Sequence, residues 1–324
     1  MKIFTTLITS MCFLIHAYGQ SKVQDSTLNN LILPNNYLTT KLGMLGDVKK
    51  TGTGDEDVIL LAGWGFGANI FDDFVSKNSN KYTMYAVTFP GFSETKPYPI
   101  PKTGTSYGKQ IWTSAIVDGV INLIANEKLE KPTIIGHFIT GTQVAFRIGL
   151  HYPNLIEKII IVGGSAKSGS TDYPKEPTLE ERIKVNDTYY APKWFKTVTK
   201  KTWDTGNYPP EIFSREKVLA QQLWDMAAKV PMQIMIHYIL EYYASDISLE
   251  FKNIKVPTLL LIPSFNEEIY KKYNYLKPSF VDCWKGADEN KLITTEIVPR
   301  SNVFIMNDQP DLFSSLVSKF IYDN

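Results

Sequence analysis

The sequence has little of what disulfide-bonded or metal-binding proteins depend on. Its 324 residues include two cysteines and four histidines. Cys12 lies within an apolar run at the N-terminus, so Cys283 is left without a partner for an intramolecular disulfide. Cysteine and histidine nowhere cluster with the spacing of a zinc site. We therefore expect neither a disulfide framework nor a bound metal, and no motif indicates another cofactor.

The chain also lacks an excess of charge of either sign. Lysine and arginine total 34 and aspartate and glutamate total 33. Proteins that bind nucleic acid or anionic membranes usually concentrate positive charge. The balance therefore argues against both as partners. An apolar content of 44% supports a large buried core that needs no covalent cross-links.

The N-terminal residues are typical of a secretory signal peptide. Lys2 precedes an apolar run that ends at Ile15, and small residues follow at positions 17 and 19. The run is shorter than the roughly 18 residues that a transmembrane helix needs. We expect residues 1–19 to be a signal peptide, cleaved before Gln20. The mature chain would then be secreted or periplasmic and would have no membrane span.

Short apolar runs alternate with helical patterns along most of the chain. Residues 58–61 and 259–262 are continuously apolar, as strands buried on both faces are. Segment 106–127 repeats apolar residues with helical spacing, and glycine-rich turns follow several strands. This alternation predicts an α/β fold with a mostly parallel sheet and helices on both faces. Ligands of such folds bind beyond the carboxyl ends of the strands.

The pattern changes between residues 165 and 249. Strand-like runs vanish, six prolines interrupt the segment, and helical patterns appear at 216–229 and 232–243. We predict a helical cap at 165–249, inserted between two parts of one core at 20–164 and 250–324. Its aromatic and methionine side chains suit the roof of an apolar pocket and suit ordinary packing equally well.

Residues 133–141, Thr-Ile-Ile-Gly-His-Phe-Ile-Thr-Gly, have the form of a strand, a sharp turn and a helix. In the nucleophile elbow, G-x-S-x-G at this place raises a serine above a parallel sheet. The middle residue here is Phe138. A residue other than glycine in such a turn costs on the order of 1–3 kcal/mol. Either the turn has relaxed, or packing beneath the cap holds the phenylalanine.

Five motifs make nearly all of the mature chain resemble the α/β-hydrolase superfamily. Segment 60–65 resembles the oxyanion loop, with Ala62 where histidine is usual, and segment 256–260 resembles the strand before the catalytic acid. The other three resemble D-x-P-G-F-G, G-H-S-M-G-G and P-x-S-G-H-F-x-x-x-D-x-P, and they lie at 89–93, 136–141 and 298–310. The resemblance implies the α/β-hydrolase fold.

The same resemblance removes the catalytic triad. It places Phe138 at the nucleophile position, Val303 at the histidine position, and Asn266 or Glu267 at the acid position. A serine triad needs a hydroxyl to attack and a base to take its proton, which phenylalanine and valine cannot supply. No histidine follows His237, whereas the acid position lies after it. The family's order of nucleophile, acid and histidine therefore cannot be completed.

Other residues near the elbow are weaker candidates for chemistry. The resemblance implies that the backbone N–H groups of Trp64 and Ile139 form the oxyanion hole. We expect His137 to pack the turn and the Thr140 hydroxyl to cap the following helix. Ser264 follows the strand that precedes the acid position.

The sequence favours a non-catalytic hydrolase-like protein that binds a small apolar ligand or a partner between cap and core. The alternative is an ester or lactone hydrolase, or a lyase-like enzyme, that uses residues outside the triad, such as His137, Ser264 or Glu267.

Overall fold

The computed structural model describes residues 44–169, 175–204 and 209–323. The signal peptide predicted at 1–19 lies outside these residues. Among the described residues, no helix is both long enough and apolar enough to cross a membrane.

A seven-stranded sheet lies at the centre of the described chain. Its strands follow the order β1-β3-β2-β4-β5-β6-β7, with β1 antiparallel to β3 and all other pairs parallel. The strands are β1 (Asp47–Thr51), β2 (Glu56–Leu61), β3 (Tyr82–Thr88), β4 (Thr133–His137), β5 (Ile159–Val162), β6 (Thr258–Pro263) and β7 (Ile293–Val298). The prediction of a mostly parallel α/β sheet is confirmed.

Burial along the strands follows their place in the sheet. Every residue of β4, β5 and β6 is buried, which explains the continuous apolar runs. The edge strand β7 buries only its two end residues, Ile293 and Val298.

Helices connect the strands. Those of the core are α1 (Asp72–Asn78), α2 (Ile111–Glu127), α3 (Phe138–His151), and, after the insertion described next, α9 (Glu267–Lys272), α10 (Leu276–Phe280), α11 (Ile305–Asp308) and α12 (Pro310–Tyr322). Short 3₁₀ helices lie at Ala68–Phe71, Tyr107–Lys109, Pro153–Leu155, Pro210–Ile212, Ile247–Asn253, Asp282–Trp284 and Ala287–Glu289.

Between β5 and β6, the described residues 165–169, 175–204 and 209–249 are mainly helical, and we refer to them as the insertion. Its helices are α4 (Leu179–Val185), a π-helical turn (Asn186–Tyr190), α5 (Ala191–Thr197), α6 (Lys200–Asp204), α7 (Lys217–Ala227) and α8 (Met232–Tyr243). Lys167 and Asp246 form an isolated β-bridge that joins the two ends of the insertion. Helix α8 forms several hydrogen bonds with the core. Two of them run from Trp64 Nε1 to the Met235 carbonyl (3.0 Å) and from the Tyr238 hydroxyl to the Pro90 carbonyl (2.8 Å).

The helix predicted over 106–127 is interrupted at Gln110. This residue has a left-handed backbone (φ +53°) between a 3₁₀ turn and α2. The buried Glu241 carboxylate explains where the helix restarts, because it accepts hydrogen bonds from the N–H groups of Trp112 and Thr113, both at 2.8 Å. A side chain of α8 thus caps α2, and periodicity within 106–127 could not reveal it.

Candidate functional site

The turn between β4 and α3 has the backbone of an elbow. Phe138 is the first residue of α3 and has a left-handed φ of +55°. A Cβ atom on Gly136 would lie 2.5 Å from the Gly141 carbonyl oxygen, so the close return of the helix past the strand requires glycine. The turn has therefore not relaxed around its phenylalanine.

Aromatic packing holds Phe138 in this conformation. Its side chain is 0% exposed. The ring stacks on Phe280 of α10, with centroids 5.8 Å apart and planes 10° from parallel, and meets the edge of Phe213 of the insertion at 6.2 Å. Truncating a buried phenylalanine typically costs about 3–5 kcal/mol, which exceeds the strain of the turn. This is the position at which the resemblance to α/β-hydrolases places the nucleophile.

Val303, which the resemblance places at the histidine position, is buried in the loop between β7 and α11. Its N–H donates to the Ile212 carbonyl (3.3 Å), and the next N–H, of Phe304, donates to the Phe213 carbonyl (2.9 Å). The Asp308 carboxylate accepts from the Asn302 N–H (2.7 Å) and fixes the same loop. The loop therefore presents backbone and apolar surface to the elbow, with no proton acceptor on the Val303 side chain.

The two residues that the resemblance places at the acid position form a helix cap and a solvated charge. Asn266 caps α9 by accepting from the Ile269 N–H (2.8 Å). The Glu267 side chain is 90% exposed and pairs with Lys271 one turn later, at 3.5 Å. Ser264 is half-buried just after β6. A carboxylate in this state has no buried imidazole to orient.

His137 links the elbow to the loop that carries Val303. Its buried ring lies with Nε2 3.2 Å from the Val303 carbonyl, and the ring centroid is 4.5 Å from that of Phe304. Burial lowers the pKa of His137 to about 3, so the ring is neutral at pH 7. The contact with a carbonyl requires the proton on Nε2, which leaves Nδ1 as an acceptor. Nδ1 is buried with no partner among the described residues.

Thr140 does not cap α3, so that prediction is wrong. Its hydroxyl is buried and has no hydrogen-bond partner in the described part of the chain. The Thr142 hydroxyl donates instead to the Phe138 carbonyl, within the first turn of the helix. A threonine inside a helix can bond back to the carbonyl four residues earlier, and position 142 has that spacing from Phe138.

The predicted oxyanion loop lies directly against the elbow. A Cβ atom on Gly63 would lie 2.6 Å from the Phe138 Cβ, so only glycine fits there. Trp64 and Ile139 are both buried, and the Trp64 indole is committed to α8 as described above. The side chains of Phe138 and His137 therefore lie directly against Gly63 of this loop.

A cavity of about 550 Å³ lies elsewhere, between the insertion and residues 100–111. Tyr107, Asp187, Phe195, His237 and Glu241 are among the residues that line it, and none of the triad-equivalent positions do. Sequence reasoning missed this cavity, because its walls come from three segments that are far apart in the chain. The signals available were the dense aromatics of the insertion and the Pro101–Gly104 turn.

Among the described residues, no group of three or more histidine, cysteine, aspartate or glutamate side chains is placed to hold a metal ion. Cys283 is buried, and burial raises the pKa of its thiol to about 12.

No protein-family model matches the chain. Pimeloyl-(acyl-carrier protein) methyl ester esterase of Proteus mirabilis is 25% identical over 114 residues, 35% of this chain and 38% of that protein. A 2-hydroxy-6-oxononadienedioate/2-hydroxy-6-oxononatrienedioate hydrolase of Pseudomonas is 25% identical over 164 residues, 45% of this chain and 54% of the relative. The methyl ester esterase of Wigglesworthia glossinidia brevipalpis is 23% identical over 282 residues, 83% of this chain and 95% of the relative. The chain therefore spans about half or less of the first two relatives and nearly all of the third.

Solved structures resemble the chain over most of its length. A hydrolase from Oleispira antarctica has a TM-score of 0.66 at 15% identity and covers 88% of this chain and 97% of its own. An esterase from Exiguobacterium antarcticum has a TM-score of 0.61 at 18% identity, and the match covers 85% of this chain and 94% of the esterase. Likeness at these identities establishes a shared fold. It does not establish a shared activity, which has to be inferred from the residues of the site.

Proposed function

Because this chain is an α/β-hydrolase-fold protein, we propose that it is a non-catalytic member that binds a small apolar ligand between its helical insertion and its core. The observation that carries the proposal is Phe138, held at the nucleophile position in a left-handed turn and buried against Phe280 and Phe213. Acyl transfer at an elbow requires a nucleophile and a base within hydrogen-bond reach. At this elbow a phenyl ring and the isopropyl group of Val303 take their places.

A hydrolase that uses other residues is the second candidate. The names of the relatives, which are esterases and hydrolases, favour it over a non-catalytic protein. The geometry weighs against it, since His137 is fully buried and the Glu267 carboxylate is solvated. A general base must reach the proton it abstracts, directly or through one water.

Hydrolysis of p-nitrophenyl butyrate and of a γ-lactone separates the two candidates. We expect the wild-type protein to show no turnover above buffer at pH 7. Turnover that disappears in Glu267→Gln but persists in the neighbouring control Glu268→Gln would establish the hydrolase and remove the non-catalytic proposal. Turnover lost in His137→Gln, with the fold intact by circular dichroism, would lead to the same conclusion.

A further inference from the structure

We propose that strand β7 is a dimer interface, at which two copies of this chain pair their β7 strands in antiparallel orientation about a two-fold axis at Thr295. The proposal concerns the edge of the sheet and does not depend on the proposed ligand-binding function. It rests on the exposure of the strand, on the direction of its backbone groups and on the match of its sequence with itself.

The edge strand β7 is exposed along its middle. Its four central residues, Thr294 to Ile297, are exposed, and because side chains alternate along a strand they leave both faces uncovered. No strand of the described chain lies beyond β7. Leu292 and Ile297 are 40% and 61% exposed, although both are large and apolar. The strand therefore presents apolar surface together with an open sheet edge.

The opposite edge of the sheet is protected against strand pairing. Strand β1 carries two exposed lysines, Lys49 and Lys50, which form ion pairs with Asp72 and Glu127 at 3.5 and 3.0 Å. Lysine on an edge strand is a common means of preventing another strand from adding to it. None of the six residues of β7 is lysine or proline, and three of its four exposed residues are β-branched, which favours strand pairing.

The outward backbone groups of β7 belong to alternate residues. The Leu292 carbonyl accepts from the Thr258 N–H of β6 (2.8 Å), so Leu292 bonds toward the sheet. In a parallel pair, successive residues alternate between bonding to the neighbouring strand and pointing away from it. The N–H and carbonyl groups of Thr295 and Ile297 therefore point away from β6. The Ile293 carbonyl points the same way, whereas its N–H is bonded within the preceding turn (2.9 Å).

Two-fold symmetry restricts how two such strands can pair. Residues opposite each other in an antiparallel pair both point their backbone groups toward the other strand, or both point them away. Since neighbouring residues of one strand point in opposite directions, two identical strands meet this condition only when one residue lies opposite itself. With Thr295 on the axis, the Thr295 groups of the two copies bond reciprocally, and the Ile297 N–H donates to the Ile293 carbonyl of the second copy. This register does not need the Ile293 N–H, which is already engaged.

The side chains fit the register that has Thr295 on the axis. Ile297 then lies opposite Ile293 of the second copy, on one face of the joined sheet. Leu292 lies opposite Val298 of the second copy, on the other face. Apolar residues thus meet at both ends of the ladder, and the two exposed ones, Leu292 and Ile297, are covered.

Neighbouring registers match less well. An axis at Glu296 would set two carboxylates directly opposite each other, which is destabilising. An axis at Thr294 would set Leu292 opposite Glu296 and desolvate a carboxylate against an apolar side chain. An axis further along in either direction shortens the ladder, because β7 has only six residues.

Sedimentation velocity over a range of protein concentrations tests the dimer. A six-residue ladder is small beside the interfaces of stable complexes, so we expect a reversible dimer with a dissociation constant on the order of 100 μM, and a doubled mass at higher concentration. Thr295→Glu sets two like charges opposite each other on the axis and should weaken the dimer at least tenfold. Thr53→Glu makes the same change at an exposed threonine outside β7 and should leave the dimer unchanged.

Disulfide cross-linking tests the register. On the axis, the two Thr295 Cα atoms would lie about 5.5 Å apart, within the range of a disulfide. We expect Thr295→Cys to form a disulfide-linked dimer under mild oxidation. Thr294→Cys is the matched control, because its two copies would be offset along the strands, with Cα atoms about 8 Å apart. Cys283 is buried, and the unsubstituted protein measures any background from native cysteines.

Three results would overturn the proposal: a monomer up to about five times the expected dissociation constant, a dimer that Thr295→Glu does not weaken, or equal cross-linking of Thr294→Cys and Thr295→Cys. If Thr295→Glu does not fold by circular dichroism, the cysteine pair still decides the register. The proposed function fails separately, by turnover of the esters above, and turnover would leave the dimer as it is.

Discussion

At position 138, the left-handed turn should make a glycine variant more stable than an alanine variant, which is the reverse of the usual order. Both substitutions remove a fully buried ring that contacts Phe280 and Phe213, at a cost of about 3–5 kcal/mol in the free energy of unfolding. Alanine at φ +55° keeps the strain of the turn, which is about 1–2 kcal/mol for a residue with a Cβ atom. Glycine relieves this strain. It also makes the unfolded chain more flexible, which lowers the free energy of unfolding by roughly 0.4–1 kcal/mol relative to alanine. We therefore expect Phe138→Gly to be about 0.5–1 kcal/mol more stable than Phe138→Ala.

Phe146 supplies the matched control in the same helix. It is also fully buried, it stacks on Trp284 at 5.7 Å, and it lies inside α3, away from any residue of positive φ. In a helix interior glycine is less stable than alanine by roughly 0.5–1 kcal/mol. Phe146→Gly should accordingly be less stable than Phe146→Ala, which is the opposite order to position 138.

Urea unfolding followed by circular dichroism measures all four variants, with the slopes checked for a common change in exposed surface. The contrary result would be that Phe138→Ala is as stable as Phe138→Gly or more stable, while the two variants at position 146 keep the usual order. In that case Phe138 does not occupy a left-handed turn, and aromatic packing has no strain to offset.

Two further predictions concern buried titratable groups. The folded-state pKa values of about 3 for His137 and about 4 for His237 lie below the unfolded value of 6.5, so between pH 6.5 and 4 the unfolded chain binds more protons. As the pH is lowered through this range, the free energy of unfolding should fall by about 1.4 kcal/mol per pH unit for each histidine. Urea unfolding of His237→Phe at several pH values should show a dependence on pH that is weaker by that amount. An unchanged dependence on pH would contradict the burial of His237. Glu241→Ala should lower the free energy of unfolding by about 1–3 kcal/mol, because the N–H groups of Trp112 and Thr113 lose their acceptor, and Glu241→Gln should cost less because it keeps an acceptor oxygen. Equal costs for the two variants in urea would show that the carboxylate does not cap α2.

Local patterns predicted the framework of the fold. The continuous apolar runs became β2 and β6, and the helix predicted over 232–243 has those bounds in the structure. The helix predicted over 106–127 missed its break at Gln110, because the residue that restarts the helix, Glu241, lies far away in the chain. Periodicity reports which face of an element is buried, and contacts between distant segments lie beyond it.

The sequence alone predicted which catalytic side chains the candidate site lacks. The motifs alone predicted a phenylalanine and a valine at two triad positions. They did not show that the turn keeps its left-handed backbone or that Phe280 stacks on Phe138, since both depend on packing from α10 and the insertion. The cavity beside His237 was invisible for the same reason, because its walls are assembled from separate segments.

Two of the hydrogen bonds that join α8 to the core, those of Trp64 and Tyr238, have a consequence for motion. The Trp64 indole and the Tyr238 hydroxyl are both buried, and their acceptors are backbone carbonyls across the boundary between core and insertion. Swinging α8 outward would leave both groups unpaired within apolar surroundings, at a cost of about 1–3 kcal/mol each. The insertion and the core therefore belong to one cooperative unit of unfolding. Exchange of small molecules would proceed along the open flank at residues 100–107, without a hinge.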